Sequence, residues 1–263
     1  MKESISHCFE TLKEKSPLVQ SITNFVVMNN TANALLSLGA SPIMAHAKSE
    51  VLDMVGIVNA LVINIGTLDE YWVESMLLAA QRANDLGKPW VLDPVGAGAT
   101  PYRNETIGKL LALKPSVIRG NASEILSLAQ VNIKSRGVDS IHDSGEAVQA
   151  AINLSKEVGC IVCVSGAKDF IVGGERVVSL DNGHPMMAKV TGMGCTASAI
   201  VGAFSGVEKD LFLATTAAMA VLGVAGEIAA EKSDGPGTLQ LHLYDTLYNL
   251  TSGELMKRMK VEF

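Results

Sequence analysis

Short runs of β-branched and aliphatic residues alternate with longer helical stretches along most of this 263-residue chain. That alternation constrains the fold more than any other feature. Strand-like runs are expected over 19–23, 41–44, 61–65, 90–92, 117–119 and 160–165. Between them, 26–38, 68–86 and 144–158 carry helical periodicity, and Gly39, Gly87 and Gly159 supply their C-terminal stops. Strand–helix–strand repetition gives right-handed crossovers and a parallel sheet covered on both faces. Near the end of this pattern, 170–172 and 176–180 flank Gly173-Gly174, a hairpin signature. Asn182-Gly183 followed by 186–190 predicts a further antiparallel edge, and the chain from Cys195 onward reads as helix. No linker, repeat or shift in composition divides the sequence. One three-layer α/β/α domain over 1–263 is expected, with a mostly parallel central sheet and antiparallel edge strands.

Composition narrows the function classes. Nearly half the residues are apolar (48%) and 18% are charged, enough to bury a large core. The net charge is -6 and no basic block occurs, so neither a nucleic-acid nor a lipid-headgroup surface is indicated. The first sixteen residues mix charges with apolar positions and do not read as a signal peptide. The most apolar segment, 211–230, is broken by Thr215, Thr216, Gly223, Gly226 and Glu227 and reads as a buried helix, so no membrane partner and a cytoplasmic location are expected. Cys160 and Cys163 form a CxxC, but they sit in a strand-like run, where residues three apart face opposite ways. They read as small core residues rather than a redox or zinc pair.

In open parallel sheets, ligands gather at the carboxyl ends of the strands. The residues there are Thr23, Asn24, Met44, Gly66, Asp93, Arg119, Asn121 and Ser165. Gly192-Met193-Gly194-Cys195 follows an apolar run and opens a helix. Two glycines let backbone amides converge, and the helix start adds positive partial charge. Gly192 and Gly194 thus make a candidate anion hole for a phosphoryl group, with an ordinary turn as the plain alternative. The pattern is neither a Walker A loop nor a dinucleotide fingerprint. Asp93, in Asp93-Pro94-Val95-Gly96-Ala97-Gly98, and Glu124, in Arg119-Gly120-Asn121-Ala122-Ser123-Glu124, put carboxylates at the same edge. They suit Mg²⁺, which keeps several waters and uses one or two carboxylates plus phosphate oxygens. Glu124 equally suits a capping box with Asn121. Ser165 could bond a phosphate. Asn24, Met44 and His46 would line a pocket of mixed polarity, although a Met is more often core.

These motifs, with Ser21-Ile22-Thr23-Asn24 and Pro42-Ile43-Met44-Ala45-His46, occur in one order along nearly the whole chain. In that order they resemble the hydroxyethylthiazole kinase family. The resemblance implies a ribokinase-like fold and transfer of the ATP γ-phosphate to 4-methyl-5-(2-hydroxyethyl)thiazole with Mg²⁺. It places Met44, Gly192 and Asn24 at the thiazole and Arg119 and Ser165 at ATP, the last where the family often has Thr. It makes Asp93 and Glu124 the metal-supporting acids, and it implies a homotrimer with its site near a subunit boundary. Most ribokinase-like enzymes carry Asp where Cys195 stands, as the acceptor of the substrate hydroxyl's proton. A helix start is expected to lower the thiol from its usual value of about 8.5. Competing readings are a pyrimidine-alcohol vitamin kinase, a nucleotide-dependent dehydratase of the same fold, and a non-enzymatic sensor. Cys195 in place of Asp argues against the first.

Overall fold

A computed structural model describes residues 1–133 and 144–262. The chain runs α1 (Lys2–Lys15), β1 (Leu18–Ile22), α2 (Met28–Leu38), β2 (Ser41–Ile43), α3 (Val51–Ile57), β3 (Ala60–Asn64) and α4 (Glu70–Asp85). Next come β4 (Trp90–Asp93), α5 (Pro101–Ala112), β5 (Val117–Asn121), α6 (Ala122–Ile133), α7 (Ser144–Val158) and β6 (Ile161–Ser165). The hairpin β7 (Asp169–Gly173) and β8 (Arg176–Leu180) precedes a 3-10 helix, Pro185–Lys189. Helices α8 (Met193–Ser205), α9 (Leu211–Glu231), α10 (Pro236–Asn249) and α11 (Ser252–Arg258) follow, and β9 (Val261–Glu262) closes the chain.

Among the described residues, nine strands join one sheet in the order β2-β1-β3-β4-β5-β6-β7-β8-β9. Pairing is parallel from β2 to β6 and antiparallel from β6 to β9. Two apolar clusters cover its faces. One joins α1, α2, α8, α9 and α10 through residues such as Phe9, Leu35, Phe204 and Val221. The other joins α3 to α7 through residues such as Met76, Trp90, Ile107 and Leu154. This is the expected three-layer α/β/α architecture. Strands buried on both faces read as apolar runs, and β3, buried along its whole length, is apolar from Ala60 to Ile63 and ends on Asn64.

Helix α8 sets the height of the site above the sheet. A Cβ at Gly202 would fall 2.3 Å from Val62 Cγ2, so only glycine lets the helix lie this close to β3. Behind it, 83% of the most apolar window of α9 is buried inside the protein, as expected of a core helix. Burial also raises the Cys160 and Cys163 thiols, consistent with core packing.

The expected strand over 186–190 is absent. Pro185 lacks an N–H for a ladder, His184 Nδ1 accepts from the Met186 N–H, and the segment winds into the 3-10 helix. The edge partner of β8 is instead β9, from the far end of the chain. Three helices were not legible as such in the pattern above. α1 buries Ile5, Cys8, Phe9 and Leu12 at helical spacing between charges. α3 has seven residues. α5 opens on an N-cap, Thr100, with Pro101 in the first turn.

Candidate active site

Strand register assembles the site. β3 and β4 pair Asn64 with Asp93, β4 and β5 pair Val91 with Val117, and β5 and β6 pair Arg119 with Cys163. Side chains alternate along a strand, so Asn64, Asp93 and Arg119 rise from one face at the carboxyl edge. That face lies under the start of α8. Ser198 Oγ donates to Asp93 Oδ2 at 2.8 Å, and Asn64 Nδ2 donates to the same oxygen at 2.7 Å. Asn24 Nδ2, just past β1, donates to Asn64 Oδ1 at 2.8 Å and lies 3.4 Å from Cys195 Sγ.

Gly192 is the residue before α8, with φ +80, and no side chain caps the helix. The N–H groups of a helix's first turn have no acceptor within the helix. Arg119, 8% exposed, brings its guanidinium to the same point: a Cβ on Gly194 would sit 3.0 Å from Nη1. Nη2 donates to Ser165 Oγ at 2.6 Å, while Nε is buried without a partner. A helix start and a guanidinium side by side repel each other unless an anion sits between them. A cavity of about 520 Å³ opens beside them. Arg119, Ser165 and Gly194 line it, together with Met187, Met219 and Leu222.

The carboxylates differ. Burial pushes Asp93 up to about 6, against the opposing pull of Arg119 and its two hydrogen-bond donors; the Glu124 charge adds to the rise. Glu124 forms the capping box. Its N–H donates to Asn121 Oδ1 at 2.9 Å, and its Oε2 accepts from the Asn121 N–H at 2.8 Å. Its Oε1 also accepts from the Gly96 N–H at 3.1 Å, which ties the β4 loop to α6. Among the described residues, no cluster of three or more His, Cys, Asp or Glu is poised for a metal. A pair of acids that sense each other's charge fits an ion that keeps water and phosphate ligands, not one held in a protein cage.

Cys195 departs from expectation: its pKa is raised, not lowered. Desolvation is the largest cause and the charge of Asp93 adds to it, outweighing the hydrogen bonds from Asn64 and Asn24 and the field of Arg119. Burial sets the sign.

Met44 stands one strand farther out than Asn24, half-buried just past β2, with its carbonyl 3.3 Å from His46 Nδ1. The His46 ring lies 4.3 Å from that of Trp72, and the Phe25 ring lies 4.7 Å from Trp72. The structure therefore gathers Asn24, Asp93, Arg119, Ser165, Gly194 and Cys195 around one point, with Met44 across β1 from it. Sequence reading missed Asn64, Ser198 and Arg103. Arg103 donates from Nη1 to the carbonyls of Ile65 and Val95 and from Nη2 to Gly66, clamping the loops after β3 and β4. Asn64 was signalled by a polar residue ending an otherwise apolar strand. Ser198 and Arg103, inside helices, carried no local signal.

The raised acid has a consequence for stability. An Asp at about 6 in the folded chain and about 3.9 unfolded holds its proton longer when folded. Its contribution to stability is then fully present below about pH 4 and is lost as pH rises through 6, up to about 3 kcal/mol. Thermal melts of ligand-free Asp93→Asn are expected to show a flatter pH dependence than the parent over that window. Parallel curves would exclude Asp93 as a source.

A mostly parallel sheet covered by helices on both faces is a ribokinase-like fold. A ribokinase-like superfamily protein from Enterococcus faecalis V583 shares the fold at TM-score 0.67 and 11% identity, over 96% of this chain and 95% of its own. The hydroxyethylthiazole kinase family model matches residues 9–253, and the chain belongs to that family. A hydroxyethylthiazole kinase from Syntrophus aciditrophicus (strain SB) is 54% identical over 254 residues, 96% of this chain and 94% of the relative. The solved hydroxyethylthiazole kinase protein from Pyrococcus horikoshii OT3 superposes with TM-score 0.93 at 42% identity, covering 99% of this chain and 98% of that one.

Proposed function

We propose that this single-domain enzyme transfers the γ-phosphoryl group of ATP to the hydroxyl of 4-methyl-5-(2-hydroxyethyl)thiazole at the start of α8. The observation that carries the reading is the uncapped first turn of α8 facing the Arg119 guanidinium. The amides around Gly192 and Gly194, with Arg119, neutralise charge that spreads over the moving phosphoryl oxygens. Phosphoryl transfer has a loose transition state, so this positioning and charge supply most of the acceleration. Arg119 and Ser165 hold the phosphates in the cavity, and the base lies against Met187 and Met219. Asn24, Met44 and Gly192 border the thiazole. Asp93 and Glu124 would support Mg²⁺, which draws charge from the β- and γ-phosphate oxygens when bound.

The alcohol oxygen forms a bond to γ-phosphorus as the bond to the β,γ-bridging oxygen breaks, and ADP leaves with that electron pair. The alcohol proton departs late, to solvent water on the Cys195 side. With its thiol raised, Cys195 is mostly protonated at neutral pH, so it is not a standing base. Cys195→Asp is accordingly expected to remain active. Cys195→Ala is expected to be slower by about 10- to 100-fold, at or below the usual range for base catalysis. An inactive but folded Cys195→Asp would oppose the equivalence of the two groups.

Mass spectrometry after incubation with MgATP and the thiazole alcohol tests the reaction. One phosphate gained by the alcohol for each ADP supports it; nucleotide consumed without a phosphorylated alcohol removes it. The same proposal includes a homotrimer with its site near a subunit boundary. Phe25 and Val26, beside Asn24, are apolar and 61% and 62% exposed, which supports that placement. Four free cysteines suit a reducing cytoplasm.

A further inference from the structure

We propose that Asn64 is a positioning residue for phosphoryl transfer: its buried carboxamide locks the acceptor side of the site, Asn24 and Cys195, to the phosphate side, Asp93. This rests on the roles proposed above for those three residues.

Asn64 ends β3 and is 1% exposed. An amide can be turned over, exchanging oxygen for nitrogen, so its orientation has to follow from its partners. Here two partners have fixed polarity. The Gly66 N–H, 2.9 Å away, can only donate, so the atom facing it is Oδ1. The Asp93 carboxylate, when ionised, can only accept, so the atom 2.7 Å from it is Nδ2. Asn64 Oδ1 therefore also faces Asn24, and must receive Asn24 Nδ2 at 2.8 Å. Asn24 is checked independently from its other end, where its Oδ1 accepts from the Val26 N–H at 3.1 Å. Every choice along the chain is then forced. The group 3.4 Å from Cys195 Sγ is an N–H donor, and the sulfur is its acceptor.

The consequence reaches both substrates. Asn24 cannot turn its oxygen toward Cys195 without losing two bonds, and Asp93 Oδ2 cannot swing away without leaving Asn64 Nδ2 unsatisfied. The position where the thiazole hydroxyl must meet γ-phosphorus lies between these groups. Fixing one relative to the other is the geometric condition for an in-line approach. Asn64 itself need touch neither substrate, so its loss acts on turnover rather than on nucleotide affinity.

Two substitutions test this in the 263-residue enzyme. Asn64→Asp keeps the shape but sets oxygen against Asp93. Asn64→Ser removes the carboxamide and admits water. Both are expected to bind MgATP within threefold of the parent by titration calorimetry, while kcat for the thiazole alcohol falls at least 30-fold. In an Asn24→Ala background, Asn64→Ser is expected to lower kcat by less than a further threefold, because the partner it orients is already gone. Rates within threefold of the parent, or losses that simply multiply, overturn the proposal. If Asn24→Ala alone leaves kcat unchanged, the proposed acceptor-side roles fall and this inference falls with them. If Asn24→Ala slows the enzyme and the Asn64 variants do not, only the inference falls. Should one variant fail to fold, the other decides. In the unmutated chain the Asn64 side-chain NH₂ protons must exchange slowly with solvent, and fast exchange overturns the network directly.

Discussion

Gly192→Ala is expected to lower kcat by about 100- to 1,000-fold while leaving a folded protein. The backbone at this position has φ +80, where a side chain costs about 1–2 kcal/mol. A Cβ would also fall 2.4 Å from Val27 Cγ1 and 3.1 Å from Val27 Cβ, at the start of α2. Val27 is buried and cannot swing clear, so the turn must move instead. The turn carries the amides that face the phosphoryl group, and misplacing one such donor typically costs 10²- to 10³-fold. The expected loss of stability is small by comparison, a few degrees in Tm for a chain of this size. Steady-state rates and calorimetric melts on the same preparation separate the two. Pairing the change with Val27→Ala relieves the clash but not the backbone strain, so it should recover only part of the rate. Wild-type turnover in Gly192→Ala would mean that the turn does not touch the reacting group.

Arg119→Ala is expected to raise the KM for ATP by about 10- to 100-fold and that for the thiazole alcohol by less than threefold. Hydrogen bonds to charged groups contribute about 1.5–3 kcal/mol, and each 1.4 kcal/mol is tenfold in affinity. The guanidinium lines the cavity of about 520 Å³, on the far side of Asp93 from Asn24 in the strand order. Its Nε has no partner within the protein, so a donor stands ready for a ligand. Arg119→Lys should restore part of the affinity, because the charge returns without the planar fork that also holds Ser165. Binding titrations with each ligand measure the split. Equal weakening of both would refute the assignment of Arg119 to ATP.

What the sequence disclosed and what it hid follow one physical division. Features written in adjacent residues were readable. The strands from β1 to β6, the glycine stops, the Gly173-Gly174 hairpin and the glycine turn before α8 all announce themselves by period or by backbone demand. Features made by residues distant in the chain were not. Asn64 matters because register puts it opposite Asp93, and Ser198 matters because Gly202 lets α8 settle onto β3. The 3-10 helix at 185–189 replaced a strand because the true edge partner arrives from the last residues of the chain, a pairing without local trace. Cys195 failed in sign for the same reason. The effect visible in sequence was a helix start, while the deciding one was burial among side chains from β1, β3 and β4.

The central claim is that the phosphoryl group moves at the start of α8. A crystal structure with Mg²⁺, a non-hydrolysable ATP analogue and the thiazole alcohol tests it most directly. The account predicts the γ-phosphate within hydrogen-bonding distance of the Gly194 and Cys195 amides, with Arg119 on the triphosphate and the alcohol oxygen beside Cys195 Sγ. A triphosphate bound instead in the second cavity, at the opposite edge of the sheet among Lys15, Lys88 and Lys209, would contradict it.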